Sequence, residues 1–262
     1  MSRFAMTTLL AALVMVAAVL WIPSPAGWIV LGAVGAAYLV LVGLGVFWMR
    51  LGFFVPALCC GSPGGRRVAL TFDDGPDPEA TPALLDLLKT KGVPATFFCV
   101  GERAAAHPDL VRRIAREGHT VGNHSSRHAW WTNFLAGRRL HREVERAQET
   151  LGDILGAAPR YYRSPMGLTN PHLRRVLYRL ALELVGWDVR PFDRGADSET
   201  VAARVLRRVR DGSIVVLHDG GARPEALTGA VDTIVRELRL RGYTFVGLDE
   251  LHDPPEPGKD TP

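Results

Sequence analysis

Two pairs of residues in this sequence have the types and spacing needed to bind a divalent metal ion. Asp73 and Asp74 follow one apolar run, and His124 and His128 follow another. Adjacent carboxylates repel each other unless a cation or hydrogen bonds offset the repulsion. Histidines four positions apart share one face of a helical turn, and with one carboxylate they form a ligand set that leaves a position open for water. The spacing therefore predicts a metal centre, although each pair taken alone also fits an ordinary turn, loop or helix cap.

Three further polar sites also follow apolar runs. Residues 163–167 read Arg-Ser-Pro-Met-Gly, whose proline and glycine predict a fixed turn with backbone N–H groups able to stabilise an oxyanion. Asp193 and His218 come after two later runs. Taken singly, such residues are more often surface ion-pair partners or satisfied polar groups than catalytic groups. Their shared position after apolar runs makes them candidates.

The elements that would position these residues are seven apolar runs that alternate with helical periodicity. The runs predict strands at 68–72, 95–100, 119–122, 161–163, 182–187, 214–217 and 244–246. Helices are predicted to begin near Thr81, Arg103, Leu135, Pro171, Ser198 and Glu225. Repeated strand-then-helix units indicate parallel strands, whose carboxyl ends bring reactive groups together. Because every motif above lies at such an end, we expect one site.

The N-terminal region contains two uncharged runs, residues 4–22 and 28–49, of 19 and 22 residues. A bilayer requires about 20 residues, so a transmembrane hairpin is predicted. The first run also resembles the apolar part of a secretory signal, but it lacks a small-residue cleavage site and a second run follows at once. The predicted domain organisation is two spans within 1–50, a linker at 51–65, the catalytic domain at 66–252 and a disordered tail at 253–262.

Charges near the hairpin predict its orientation in a bacterial-type inner membrane. Arg3 precedes the first run, Arg50, Arg66 and Arg67 follow the second, and residues 23–27 between them are uncharged. The positive-inside rule then places both ends, and the catalytic domain, on the cytoplasmic face. A single span would instead place the domain outside.

Composition excludes several functional classes. The 262 residues carry a formal net charge of +4, but the basic residues are scattered and no RNA-binding or helix-turn-helix motif is present, so no nucleic-acid partner is expected. Three cysteines cannot build a disulfide framework. Cys99 is predicted to be a core residue, and no role is predicted for Cys59 and Cys60.

The ordered motifs resemble those of the polysaccharide deacetylase family with the NodB homology domain, of the carbohydrate esterase family 4 type. The resemblance covers roughly residues 66–252 and rests on residues 71–75, 124–128, 163–167, 193 and 217–218. It implies an α/β fold, a distorted (β/α)7 barrel, preceded here by the predicted transmembrane helical hairpin.

The resemblance also implies a set of roles for the metal centre. Asp74, His124 and His128 would hold one divalent ion, zinc, with cobalt or another divalent ion as alternatives. Asp73 would be the general base and His218 the general acid. These assignments agree with the needs of amide hydrolysis, which are a Lewis acid, a nucleophile and a proton for the departing amine.

Roles on the substrate side follow from the same resemblance. Arg163 would orient the general base, and Asp193 would tether Arg163. The backbone N–H of Met166 would help to bind the oxyanion, and Leu217 and Trp187 would line the acyl pocket. The implied substrate is an N-acylated amino-sugar glycan.

Two positions depart from the family pattern. Met166 stands where an aromatic or similarly bulky residue is common, and Arg194 stands where Trp is frequent. These departures argue against a long chitin-like polymer and favour a smaller or lipid-linked sugar. Two alternatives remain: a deformylase acting on a lipid-carrier amino sugar, and a catalytically silent, membrane-tethered sugar-binding protein. Silent relatives usually lose a ligand or the acid, whereas this sequence keeps every ionisable position.

Overall fold

The computed structural model describes residues 2–252, and the tail predicted at 253–262 lies outside them. Two long antiparallel helices, α1 (Arg3–Trp21) and α2 (Ala26–Phe47), occupy the two uncharged runs. Thr8 Oγ1 on α1 and the hydroxyl of Tyr38 on α2 lie 2.9 Å apart. By length and composition, both helices are suited to cross a membrane, and their apolar side chains are mostly exposed.

A sheet of parallel strands forms the centre of the remaining chain. The strands are β1 (Arg67–Asp73), β2 (Ala95–Cys99), β3 (Thr120–Asn123), β4 (Tyr161–Tyr162), β5 (Glu183–Leu184), β6 (Ser213–His218) and β7 (Thr244–Phe245). Their order is β5-β4-β3-β2-β1-β6, and β7 pairs with the beginning of β1. The predicted α/β class with a distorted parallel barrel is confirmed.

The barrel is closed between β5 and β6 by single residue pairs instead of a continuous ladder. Val189, beyond the end of β5, pairs with Val215 of β6. The chain between α2 and β1 enters the same seam, where Leu58 pairs with Val185 and Cys60 pairs with Ser213. Residues 58–60 are thus part of the barrel wall.

The two adjacent cysteines lie in this seam. Cys59 is buried, and burial raises the pKa of its thiol to about 11. A thiol with such a pKa stays protonated at neutral pH and is a poor nucleophile. Cys59 therefore acts as a small apolar residue of the wall.

Helices cover the outer face of the sheet. They are α3 (Ala80–Lys91), α4 (Gly101–Ala106), α5 (Pro108–Arg116), α6 (Gly137–Leu155), α7 (Leu173–Arg179), α8 (Ser198–Arg208), α9 (Pro224–Leu240) and α10 (Leu248–His252). Side chains of β1 alternate between the two faces: Leu70 and Phe72 pack in the largest apolar cluster with residues of α3 and α9, whereas Ala69 packs in a separate interior cluster. Thr71 and Asp73 share the interior face with Ala69, so β1 delivers its polar residues to the barrel mouth.

The helical hairpin contacts the rest of the chain at both of its ends. The Phe4 backbone N–H donates to the Phe53 carbonyl at 3.1 Å. Near the end of α2, the carbonyls of Gly45 and Val46 accept hydrogen bonds from the Thr169 hydroxyl at 2.7 Å and the Thr169 backbone N–H at 3.1 Å. The loop that follows β4 therefore contacts the last turn of α2.

Candidate active site

Three side chains converge at the carboxyl ends of β1 and β3. Asp74 Oδ1 lies 3.3 Å from His124 Nε2 and 3.1 Å from His128 Nε2. This Oδ1 atom is buried and accepts no hydrogen bond from residues 2–252. A buried carboxylate oxygen without a donor is costly, and a divalent ion would offset the cost. One carboxylate and two imidazoles are also a ligand set that zinc and cobalt accept, so these residues fit the predicted metal.

The charges and hydrogen bonds around this cluster favour binding of a cation. Burial opposes ionisation of Asp74, but the nearby His124, His128 and His218 outweigh it and hold the pKa of Asp74 well below its usual range. Burial and the neighbouring His124 lower the pKa of His128 to about 4. His124 Nδ1 lies 2.8 Å from the Arg163 carbonyl, so a proton on Nδ1 leaves the Nε2 lone pair directed at the cluster. At neutral pH the cluster therefore offers an anionic Asp74 and a neutral His128 as ligands.

The two histidines are brought together by a loop, and the helical turn predicted for them is wrong. Residues 124–128 follow β3 without helical structure. Asn123 Oδ1 accepts a hydrogen bond from the Ser125 backbone N–H at 2.9 Å, and Ser125 Oγ accepts one from the His128 backbone N–H at 3.0 Å. Ser125 and His128 have positive φ angles of 65° and 52°. Such backbone is disfavoured for non-glycine residues and is common at functional sites.

The general base predicted at Asp73 is held by a fully buried guanidinium. Arg163 Nη1 donates to Asp73 Oδ1 and to Thr71 Oγ1, each at 2.7 Å, and its Nη2 donates to the Gly186 carbonyl at 2.8 Å. The ring of Phe98 packs on this guanidinium with its centroid 4.1 Å from Cζ. Asp73 Oδ2 faces His124 Nε2 at 3.9 Å. Arg163 thus fixes one carboxylate oxygen and leaves the other toward the metal cluster.

Asp193 binds His218 and not Arg163, so the predicted tether between Asp193 and Arg163 is wrong. One Asp193 oxygen lies 2.8 Å from His218 Nδ1, and the other accepts the His218 backbone N–H at 2.8 Å. The donors of Arg163 are already directed at Asp73, Thr71 and backbone carbonyls. Burial opposes protonation of His218, but the hydrogen bond and charge of Asp193 outweigh it and raise the pKa of His218. His218 is the neighbour of Asp73 in the register between β6 and β1, so the candidate acid and base sit side by side.

The three residues predicted to contact the substrate, Trp187, Met166 and Leu217, have different surroundings. Trp187 is half-buried beside the Arg163 guanidinium, with its ring centroid 5.6 Å away, and Met166 is 42% exposed in the turn after β4 with a φ of 58°. Leu217 is fully buried in the outer apolar cluster, so its predicted place in the acyl pocket is wrong. Side chains alternate along β6, which puts Val216 on the interior face with His218.

One basic residue, Arg194, and one acidic residue, Asp219, complete the site. Arg194 forms an ion pair with Asp74 Oδ2, and it lines a cavity of about 290 Å³ together with Asp193 and His218. Asp219 is fully buried, accepts a hydrogen bond from Thr81 Oγ1 at 2.5 Å, and burial raises its pKa to about 7. Sequence reasoning gave no role to Asp219. Its position directly after the candidate acid, before a glycine, was the available signal.

Comparisons with known proteins agree with this geometry. A family model described as polysaccharide deacetylase matches residues 61–185. The peptidoglycan-N-acetylglucosamine deacetylase PgdA of Listeria monocytogenes is 35% identical over 188 residues, which are 71% of this chain and 39% of that protein. The chain therefore spans well under half the length of this relative.

Solved structures are similar over most of their length. The Bc1960 peptidoglycan N-acetylglucosamine deacetylase matches with a TM-score of 0.71 at 33% identity, covering 75% of this chain and 92% of that one. A family 4 acetyl xylan esterase from Clostridium thermocellum, solved with a cobalt ion, matches with a TM-score of 0.64 at 35% identity, covering 71% of this chain and 89% of that one. The resemblance predicted from the motifs is confirmed, and this chain belongs to the polysaccharide deacetylase family.

Proposed function

We propose that this protein is a metal-dependent hydrolase that removes an N-acyl group, foremost N-acetyl, from an amino sugar. The observation that carries the proposal is the placement of Asp73 and His218 as register neighbours beside the Asp74, His124 and His128 cluster. Hydrolysis of an amide requires a proton acceptor for the attacking water and a proton donor for the departing amine. The two neighbours supply one of each.

The chain prepares the attack through Asp73. Zinc or a similar divalent ion held by Asp74, His124 and His128 would supply Lewis acidity toward the acyl carbonyl. Asp73 accepts the proton of the attacking water on the oxygen that Arg163 leaves unbound. A carboxylate that ligates a cation is a poor proton acceptor, so the adjacent aspartates divide the two tasks.

Collapse of the tetrahedral intermediate requires His218. Its Nδ1 is bound to Asp193, so its Nε2 is the nitrogen free to donate a proton. The raised pKa of His218 increases the fraction that is protonated near neutral pH. An amine is a much poorer leaving group than an alcohol unless it is protonated, so amide hydrolysis depends on the proton that His218 supplies.

We infer that the substrate is a short or lipid-linked amino sugar. Arg194 and Met166 give the rim one cationic and one flexible apolar residue, and α2 contacts the loop after β4 through Thr169. An active-site loop attached to an apolar helix of this kind suits a sugar that is presented at a bilayer. The same argument applies to removal of a formyl group, which the assay below includes.

We further propose that the hairpin spans a bacterial inner membrane with the catalytic domain on the cytoplasmic face. Arg3 and Arg50 lie at the two hairpin ends that contact the barrel, and the turn at residues 22–25 carries no charge. Reporter fusions after Pro262 test the orientation: a cytoplasmic fluorescent reporter is expected to be active. Activity of an export-dependent reporter would place the domain outside.

The hydrolase proposal is tested with the full chain purified in detergent and loaded with zinc. N-acetylglucosamine oligosaccharides and lipid-linked N-acetyl and N-formyl amino sugars are incubated with it, and release of acetate or formate is measured. Asp73→Asn and His218→Ala are each expected to lose about 10²- to 10⁴-fold in kcat while retaining metal. His141→Ala, a histidine on α6 paired with Glu145, is the matched control and should retain activity. Near-normal turnover by the first two variants would contradict the assigned roles.

A further inference from the structure

A groove lies at the end of α2 and is lined in part by Met166 and Trp187, two of the residues predicted to contact the substrate. It has a volume of about 360 Å³, and its lining includes Phe47, Trp48 and Arg50 from the end of α2 and Met166, Trp187 and Arg190 from the barrel. The Phe47 and Trp48 side chains are 75% and 55% exposed. Because α2 has the length and composition of a membrane span, this groove opens where a bilayer surface would lie.

The groove carries positive charge that the protein does not neutralise. Arg50, Arg190 and Arg208 all line it, and none of them forms an ion pair with a carboxylate of residues 2–252. The single acid in its lining, Asp188, is already engaged: its two oxygens accept hydrogen bonds from Ser213 Oγ at 3.0 Å and from the Ile214 backbone N–H at 2.8 Å. The groove is therefore complementary to an anion.

The surroundings of Arg190 leave its guanidinium able to bind a phosphate. Its guanidinium packs on two aromatic rings, with Cζ 5.4 Å from the centroid of Trp187 and 5.0 Å from that of Phe192. Stacking covers the faces of a guanidinium and leaves its N–H edge for bidentate hydrogen bonds to phosphate oxygens. No side-chain hydrogen bond of Arg190 to any residue within 2–252 uses that edge.

The groove and the catalytic residues share a wall. Trp187 stacks near Arg190 on one side and lies 5.6 Å from the Arg163 guanidinium on the other, and Arg163 binds Asp73 at 2.7 Å. Trp187 and Arg163 thus link the groove to the candidate base, so a sugar attached to an anion in the groove would begin next to the candidate site. A lipid chain attached to the same anion would leave past the exposed Phe47 along α2.

We propose that this groove is a binding site for the phosphate headgroup of an amino sugar linked to a lipid phosphate, with Arg50, Arg190 and Arg208 as its anion ligands. The proposal deepens the proposed function and rests on it for the attached sugar, but the headgroup site itself makes a separate prediction about binding. A lipid phosphate is the occupant favoured here, because the groove combines unpaired arginines with exposed aromatic residues at the end of an apolar helix.

Binding of undecaprenyl phosphate to the full chain in lipid nanodiscs tests the site, with undecaprenol and inorganic phosphate as the other probes. Arg190→Gln and Arg208→Gln are each expected to weaken undecaprenyl phosphate binding about 10- to 100-fold, as loss of a charge-assisted hydrogen bond implies. Arg207→Gln changes the neighbouring exposed arginine of α8, which does not line the groove, and should bind like the unmodified chain. Arg208 is on an exposed helix surface, so Arg208→Gln is expected to fold normally. It therefore tests the site even if Arg190→Gln folds poorly.

The outcomes separate the site from the hydrolase activity. Equal affinity for undecaprenol and its phosphate, or equal affinity in all three variants, would overturn the site. Displacement by an equal concentration of inorganic phosphate would assign the groove to free phosphate and would overturn the lipid assignment. Absence of deacylation of both soluble and lipid-linked sugars by the metal-loaded chain would overturn the proposed function, while the binding result would still decide on the headgroup site.

Discussion

Replacing Asp193 with Asn tests how the candidate general acid is tuned. Asp193 contacts both Nδ1 and the backbone N–H of His218 at 2.8 Å, and the two side chains are only 9% and 14% exposed. The Asp193 carboxylate raises the pKa of His218, and removing this opposite charge lowers that pKa. The protonated form of His218 is the active one, and the population of that form falls as pH rises through the pKa of the ring. In Asp193→Asn this loss begins at lower pH.

The magnitude follows from the protonated fraction. A lower pKa reduces the protonated fraction of His218 on the alkaline side, so kcat there is expected to fall by about 10- to 100-fold, up to the lower end of the about 10²- to 10⁴-fold contribution of a general acid. The assay is the pH dependence of kcat for acetate release, together with a direct titration of the His218 ring by NMR. Asp197→Asn is the matched control, because Asp197 caps α8 through Thr200 and Asn is an equally good cap.

Two results would refute this reasoning. The first is an unchanged alkaline limb in Asp193→Asn, which would mean that the carboxylate does not set the protonation of the acid. The second is an equal loss of kcat in Asp193→Asn and Asp197→Asn, which would indicate a general disturbance of the loop before α8.

Three further variants test the surroundings of the metal cluster. Asp74→Ala removes the proposed anionic ligand, so elemental analysis should find substoichiometric zinc in the variant and one ion in the unmodified chain; full zinc occupancy in the variant would contradict the ligand assignment. Arg163→Leu leaves the buried Asp73 without its cation and should lower the free energy of unfolding by about 3 to 5 kcal/mol in urea titrations; an unchanged midpoint would show that the pair is dispensable. Gly75→Ala would place a Cβ 2.2 Å from Asp219 Oδ2 and should destabilise the fold by about 1 to 3 kcal/mol, measured as a lower Tm; an unaltered Tm would show that the loop shifts freely.

Local sequence signals predicted most strands because each strand is an apolar run that ends in polar or turn-forming residues. β6 is an example, since residues 214–217 are apolar and His218 follows them. β5 was predicted at 182–187, but its ladder contains only Glu183 and Leu184. Val185 instead pairs with Leu58, which is far away in the chain. Propensity within a short window carries no information about such a partner.

The residues of the site also divide into those whose place local sequence predicts and those whose place depends on distant parts of the chain. The residue types of Asp74, His124 and His128 limit their chemistry so strongly that their convergence was predictable from motif order. The partner of Asp193 was not, because either His218 or Arg163 satisfies a carboxylate and only the path of residues 188–193 decides between them. The place of Leu217 follows from strand alternation, a rule that local sequence does supply once His218 is put on the interior face.

The hydrogen bonds of Thr169 to the carbonyls of Gly45 and Val46 have a consequence for selectivity along a glycan chain. They fasten the loop after β4 to the last turn of α2, so the catalytic rim cannot move away from that helix without breaking both bonds. With α2 embedded in a bilayer, the rim would stay at a fixed height above the membrane surface. Sugars close to the membrane would be within reach, and residues farther out on a growing oligosaccharide would not, so chain length itself would decide which amino sugar loses its acyl group.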